Sequence, residues 1–155
     1  MNLLLDLAGE ICKIVLPIRG EVFLGNGKSS VAVCTLSSMD LLREISGSDL
    51  MKKIAIAGRL LSENKGIDEL VRYIIKNHNI QTMIVCGKEV YGHKTGHALV
   101  SLYRHGTDDD GRIRNSCSPS PYLTVSKEDV ERFRKQITLV DRIGETRLGR
   151  IACEI

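Results

Sequence analysis

The chain has 155 residues, 43% hydrophobic and 26% charged, the composition of an ordinary globular protein with room for one domain and its own core. The net charge is +3, and the 22 Lys and Arg are scattered without a basic stripe or interleaved aromatics, which argues against a nucleic-acid partner. The five cysteines are odd in number, form no CxxC and sit mostly in apolar runs, so reduced thiols and a cytoplasmic location are expected.

Met1 to Leu16 reads as an amphipathic helix. Leu4, Leu7, Ala8, Ile11 and Val15 share a face, Asp6 and Glu10 interrupt the run, and Pro17 stops it. No basic segment precedes it and no small-residue cleavage site follows, so it is not read as a signal peptide. No apolar run approaches the ~20 residues of a membrane helix, so no membrane insertion is expected.

Glu21 to Leu24 is a short strand candidate, and Gly25-Asn26-Gly27 a tight turn in which glycine supplies positive φ. Val31 to Leu36 reads as a buried strand, followed by Ser37 and Ser38 as caps of a helix that ends near Gly47. Ile54 to Ala57 is the next buried strand, closed by Gly58. After a loop over 59–66, Ile67, Leu70, Val71, Ile74 and Ile75 mark the clearest helix, with Asp68 and Glu69 in its first turn.

Thr82 to Cys86 is a third buried strand, and a helix bearing Leu99, Leu102 and Tyr103 follows His93 and ends at Gly106. Thr107 to Gly111 is a polar turn, Arg112 to Arg114 a short strand, and Asn115 to Tyr122 a Ser- and Pro-rich loop. Ser126 caps a helix with Val130 and Phe133. Ile137 to Val140 is a last strand, and a short helix closes the chain. Strands alternating with helices predict an α/β fold: a Rossmann-like, mostly parallel sheet with helices on both faces, as one domain over 1–155.

Several motifs are tested and rejected. Gly25-Asn26-Gly27-Lys28-Ser29-Ser30 is not a phosphate loop, because it leads into a strand and its first glycine position holds Val22. There is no G-x-G-x-x-G after the first buried strand and no G-x-S-x-G. Asp108 to Asp110 lacks the spacing of a calcium loop. Cys117 has no base assigned by sequence and is read as a bystander. His93 and His97 are four apart and would share a helical face, which keeps a zinc-dependent hydrolase as a weaker alternative, although no third ligand is apparent.

The stretch Val85-Cys86-Gly87-Lys88-Glu89-Val90-Tyr91-Gly92-His93-Lys94-Thr95-Gly96 is the most informative. It hands the end of a buried strand to a loop carrying a histidine flanked by glycines, where ligands of open α/β sheets bind. His93 to Gly96 is H-x-x-G, half of the D-x-H-x-x-G signature of cobalamin-binding modules, but the Asp position holds Tyr91.

Taken with Ile56-Ala57-Gly58, Ser62-Glu63-Asn64-Lys65-Gly66-Ile67, Gly111-Arg112-Ile113-Arg114 and Val130-Glu131-Arg132-Phe133-Arg134-Lys135-Gln136, this stretch resembles one family: the A subunit of the tetrahydromethanopterin S-methyltransferase complex of methanogenic archaea. The resemblance runs from about Arg19 to about Ile151. It implies a corrinoid (cobalamin) cofactor on a Rossmann-like domain, and methyl transfer through cobalt from methyl-tetrahydromethanopterin to the thiol of coenzyme M. It places the lower axial cobalt ligand on His93.

The resemblance further implies a corrinoid bed from the loops after Leu36, Gly58, Gly87 and Arg114, with Ser37, Gly58, Glu63, Asn64, Gly87, Glu89, Gly92, Thr95, Gly96, Ser116 and Pro119 as candidate cofactor contacts. Glu89 or Glu63 is expected to stand in for the missing Asp behind the ring. Methyltransferase partner proteins are expected, with the pterin and thiol sites on those partners, and a homo-oligomer is left open. The family's C-terminal membrane helix is not seen before Ile155, and Arg59-Leu60-Leu61 and the loop Asn115 to Tyr122 depart from the family pattern. A soluble corrinoid carrier, store or sensor without methyl transfer is therefore the principal alternative.

Overall fold

A computed structural model describes residues 22–155. The expected N-terminal helix over 1–16, Cys12 and Glu21 lie outside the described residues. Five strands, β1 (Val22–Leu24), β2 (Val31–Cys34), β3 (Ile56–Gly58), β4 (Thr82–Gly87) and β5 (Thr138–Ile143), form one sheet in the order β1-β3-β2-β4-β5. The pairs β3-β2, β2-β4 and β4-β5 are parallel, and β1 joins the β3 edge antiparallel. The sheet is thus mostly parallel, as the alternation of strands and helices predicts.

Helices cover both faces. One side carries α1 (Met39–Ser46) and α5 (Leu148–Ala152), packed through Leu41, Leu42, Ile45 and Ile151 over Val33, Ala57, Ile84 and Cys86. The other carries α2 (Lys65–Lys76), α3 (Thr95–His105) and α4 (Lys127–Gln136), packed through Ile67, Val71, Ile74, Leu99, Leu102, Val130 and Phe133 over Ala32, Cys34, Ile56, Met83 and Val85. Alternate residues of each central strand serve the two cores, the period-2 consequence of pleating. Full burial of each large apolar side chain contributes about 1.5–3 kcal/mol.

The central strands end at a topological switch point. From β2 the chain crosses to β3 on one side and later to β4 on the other, so the loops after β2 and β4 diverge from a crevice at their carboxyl ends. Cys34 and Cys86, free and buried beside this point, are held together by the Cys86 thiol donating to Cys34 O at 3.4 Å. Desolvation by burial pushes the Cys34 thiol up to about 12 and raises that of Cys86 as well.

Four local expectations are corrected. Gly25 and Gly27 do not have positive φ, and the turn at Asn26 does not close a hairpin, because β1 pairs with β3 rather than β2. Gly25 is instead required by close packing, since a Cβ there would collide with the Ile54 and Met51 carbonyls. Ser37 and Ser38 do not cap α1 with their side chains. They reach across the crevice: Ser37 Oγ donates to Lys88 O (2.8 Å) and Glu89 O (3.2 Å), and Ser38 Oγ accepts from Lys88 N (2.8 Å). Arg112 to Arg114 is not a strand; it makes only isolated bridges, Thr107 with Ile113 and Arg112 with Tyr122. The strand expected from Ile54 is Ile56–Gly58.

Candidate functional site

The loop after β4 is shaped by its glycines and by one carboxylate. Gly87 has φ +77, and a Cβ there would run into Thr35 O, so only glycine lets the β4 and β2 loops cross. Glu89 then turns back onto the start of α3. Its Oε1 accepts from Val90 N and Gly96 N, and its Oε2 from His97 N, all at 2.8 Å. A carboxylate on the orphan amides of a helix N-terminus is favoured both by hydrogen bonding and by the helix dipole. Gly96 lets this happen, because a Cβ would meet Leu36 Cδ1 at 2.8 Å and Glu89 Oε2 and Ile143 Cδ1 at 2.9 Å.

Between these anchors lies the exposed tip. Tyr91 is 100% exposed, Gly92 has φ +80 with nothing within 4 Å of where its Cβ would be, and the His93 side chain is 55% exposed. Lys94 follows in the left-handed region (φ 50, ψ 46) and opens α3 without a side-chain cap. Thr95 is buried, and its Oγ1 has no hydrogen-bond partner.

The partner of His93 comes from the loop after β3. Glu63, only 2% exposed, places Oε2 at 2.9 Å from His93 Nδ1. A carboxylate only accepts, so Nδ1 carries the proton and the lone pair is on Nε2. Nε2 makes no hydrogen bond to any described residue. Glu63 is held in turn by Ser120 N, which donates to Oε1 at 3.1 Å. Of the two glutamates expected behind the ring, Glu63 is there and Glu89 is not.

The loop Asn115 to Tyr122 closes this side of the site. Asn64 caps α2 through Oδ1 to Lys65 N (2.7 Å) while its Nδ2 donates to Ser120 O (3.3 Å). Ser116 is buried, and its Oγ accepts from Ser118 N at 3.2 Å. Ser118 Oγ donates to Lys94 O at 3.0 Å, and Lys94 Nζ reaches Cys117 Sγ at 3.7 Å. Pro119 and Pro121 flank Ser120 and restrict the backbone that aims its N–H at Glu63.

The fold therefore brings Glu63, Asn64, Glu89, Gly92, His93, Thr95, Gly96, Ser116 and Pro119 into one set of linked loops, with Ser37 and Gly87 at its base. Gly58 is not linked to it: it ends β3, buried, with its carbonyl accepting from Thr35 N at 2.9 Å. Sequence reasoning missed Ser118 and Ser120, for which the Pro-Ser-Pro punctuation is the available signal. The shared helical face of His93 and His97 is also corrected: His93 lies in the loop and only His97 is on α3. Among the described residues no three His, Cys, Asp or Glu side chains converge as a metal site, so the zinc-hydrolase alternative has no ligand set. Asp108 instead anchors its own turn, Oδ1 accepting from Asp110 N and Arg112 N at 2.9 Å.

A single outward-facing imidazole is a poor site for a bare ion, which needs several protein ligands. It suffices for a metal whose equatorial positions are already filled by a macrocycle. The exposed, side-chain-free backbone at Gly92 leaves the approach to Nε2 open to a broad flat group.

Comparison with known proteins points to one family. A family model described as the A subunit of tetrahydromethanopterin S-methyltransferase matches residues 13–155. The chain is 42% identical over 136 residues to the tetrahydromethanopterin S-methyltransferase A subunit of Methanocaldococcus jannaschii, covering 86% of this chain and 55% of that protein. It is 36% identical over 135 residues to the Mtx methyltransferase A subunit of Methanosarcina barkeri, covering 86% of this chain and 64% of the relative. It is 36% identical over 140 residues to the second tetrahydromethanopterin S-methyltransferase A subunit of Methanothermobacter thermautotrophicus, covering 89% and 74%. The matched region thus spans less than two thirds of the first two relatives.

Proposed function

This chain belongs to the A-subunit family of tetrahydromethanopterin S-methyltransferase, and we propose that it binds a corrinoid through His93 and serves methyl transfer between partner proteins. The observation that carries the reading is the pairing of half-exposed His93 with buried Glu63 at 2.9 Å, at the switch point of the sheet. When bound, the corrinoid supplies a cobalt centre that accepts a methyl group from methyl-tetrahydromethanopterin and yields it to the thiol of coenzyme M.

The chain's own residues hold and tune that centre. His93 presents Nε2 as the ligand atom. Glu63 keeps the proton on Nδ1 and raises the basicity of the ring, the usual role of a carboxylate behind a metal-bound histidine. Gly92 keeps the backbone clear, and Glu89 orders the first turn of α3. The orphan hydroxyl of Thr95 and the rim formed by Asn64, Ser116 and Pro119 are the polar groups nearest in the fold to receive the corrin's amide side chains. The pterin and thiol sites belong to partner proteins. Among the described residues no helix is long and apolar enough to cross a membrane.

The test is reconstitution with cobalamin followed by electron paramagnetic resonance of the Co(II) state. Nitrogen from His93 splits the signal, and His93→Ala removes the splitting. The same splitting in His93→Ala overturns the assignment. Absence of cobalamin binding by the parent protein overturns the reading as a whole. Methylated protein that passes no methyl group to any acceptor, with methyltransferase partners present, favours a corrinoid carrier or store.

A further inference from the structure

Both halves of the His93–Glu63 pair are held by one loop. On the histidine side, Ser118 Oγ donates to Lys94 O at 3.0 Å, fixing the residue that directly follows His93. On the glutamate side, two residues further along, Ser120 N donates to Glu63 Oε1 at 3.1 Å. The loop is stiff enough to act as a brace. Ser116 Oγ accepts from Ser118 N (3.2 Å), Arg112 Nη2 donates to Ser116 O (3.0 Å), and two prolines flank Ser120.

Lys94 needs such an anchor. It is a non-glycine residue in the left-handed region, at φ 50 and ψ 46, where Cβ crowds the following carbonyl and tertiary contacts are required to hold the conformation. Its carbonyl accepts from Ala98 N at 3.0 Å as the first bond of α3, but that bond only requires the helix to continue. The hydroxyl of Ser118, itself buried, is the contact that ties this carbonyl to the loop carrying the Glu63 donor.

We infer that Ser118 is a positioning residue for His93: it fixes Lys94, and through Lys94 the imidazole, at the distance from Glu63 that locks the proton on Nδ1. The loop Asn115 to Tyr122 is thereby the element that sets the ligand strength of His93. The connection to cobalt rests on the function proposed above; the geometric role of Ser118 does not.

The experiment uses the cofactor-free protein first. Nitrogen-15 NMR of the histidine rings at about pH 8, above the ordinary histidine range, reads which nitrogen of His93 carries the proton. His78, beyond the far end of α2, is the internal control. The parent is expected to show one tautomer, Nδ1–H. Ser118→Ala is expected to lose that lock and show exchange between both tautomers, with His78 unchanged, and Ser118→Thr, which keeps the donor, to restore it.

Should Ser118→Ala fail to fold, Ser118→Cys, nearly the same size with a far weaker donor, is expected to show the same loss. A folded Ser118→Ala or Ser118→Cys protein that keeps the single Nδ1–H tautomer overturns the inference. With cobalamin added, Ser118→Ala is expected to bind about fivefold more weakly, the order of one hydrogen bond, with blurred nitrogen splitting in the Co(II) spectrum. If the parent binds no cobalamin, the proposed function falls while the tautomer result still decides the role of Ser118.

Discussion

Glu63 Oε2 lies 2.9 Å from His93 Nδ1, joining the loop after β3 to the loop after β4 across the carboxyl ends of the sheet. The contact is lopsided in exposure: the glutamate is 2% exposed and the histidine 55%. One partner is fixed and the other presents its remaining nitrogen to solvent, the arrangement of a ligand backed by the protein interior.

Removing that backing weakens ligation. Glu63→Ala is expected to lower cobalamin affinity by about 10–100-fold, the usual cost of deleting a partner behind a metal-bound histidine. It also leaves Ser120 N without its acceptor. Glu63→Gln keeps an acceptor for Nδ1–H and loses less. Equilibrium titration of the three proteins with cobalamin, followed by visible absorption, checks the order parent, Gln, Ala.

Glu89 gives the opposite signature. It touches the amides of Gly96 and His97 rather than the imidazole. Glu89→Ala is therefore expected to destabilise the fold by about 1–2 kcal/mol, the range of a lost helix cap, which urea denaturation measures. A loss confined to cobalamin affinity, with unchanged stability, would contradict the assignment of Glu89 as the cap.

Gly87 and Gly27 separate two uses of glycine. Gly87→Ala forces a Cβ onto the Thr35 carbonyl at φ +77, and a cost of about 2 kcal/mol or more is expected. Gly27 has nothing within 4 Å of its Cβ position and no positive φ, so Gly27→Ala is expected to change stability by less than about 0.5 kcal/mol. Thermal or urea unfolding of the two variants gives the comparison directly.

The buried thiols make stability fall in alkali. Burial raises Cys34 from 9.0 to about 12 and raises Cys86 in the same direction. Above about pH 9 the unfolded chain releases these protons and the folded chain does not, so the unfolded state binds fewer and stability drops with rising pH. The contribution is complete below pH 9 and is lost as pH climbs towards 12. Urea midpoints measured from pH 8 to pH 11 should decline less steeply in Cys34→Ala than in the parent. Below pH 9, thiol-specific reagents should modify exposed Cys117 and Cys153 well before Cys34 and Cys86.

Much of the fold is legible because its signals are local. The apolar runs at Val31, Ile56 and Thr82 and the 3.6-residue spacing of Ile67, Leu70, Val71 and Ile74 mark buried strands and a one-sided helix, and these stand in the structure. Failures occur where a residue answers to a distant one. Ser37 and Ser38 read as caps, yet bond to Lys88 and Glu89 about fifty positions away. Arg112 to Arg114 has strand-like residues, but no neighbouring strand to pair with.

The site divides the same way. The glycine-flanked His93 at the end of a buried strand is readable from composition and periodicity, and the family from its ordered motifs. Sequence left Glu63 and Glu89 equal, because both are carboxylates in loops of the same sheet edge and loop reach is not encoded in spacing. Only the tertiary structure decided between them. The parallel sheet sets the loops after β3 and β4 at neighbouring carboxyl ends, the start of α3 takes Glu89 for its unpaired amides, and the burial of Glu63 beneath the Ser120 amide leaves it facing the histidine.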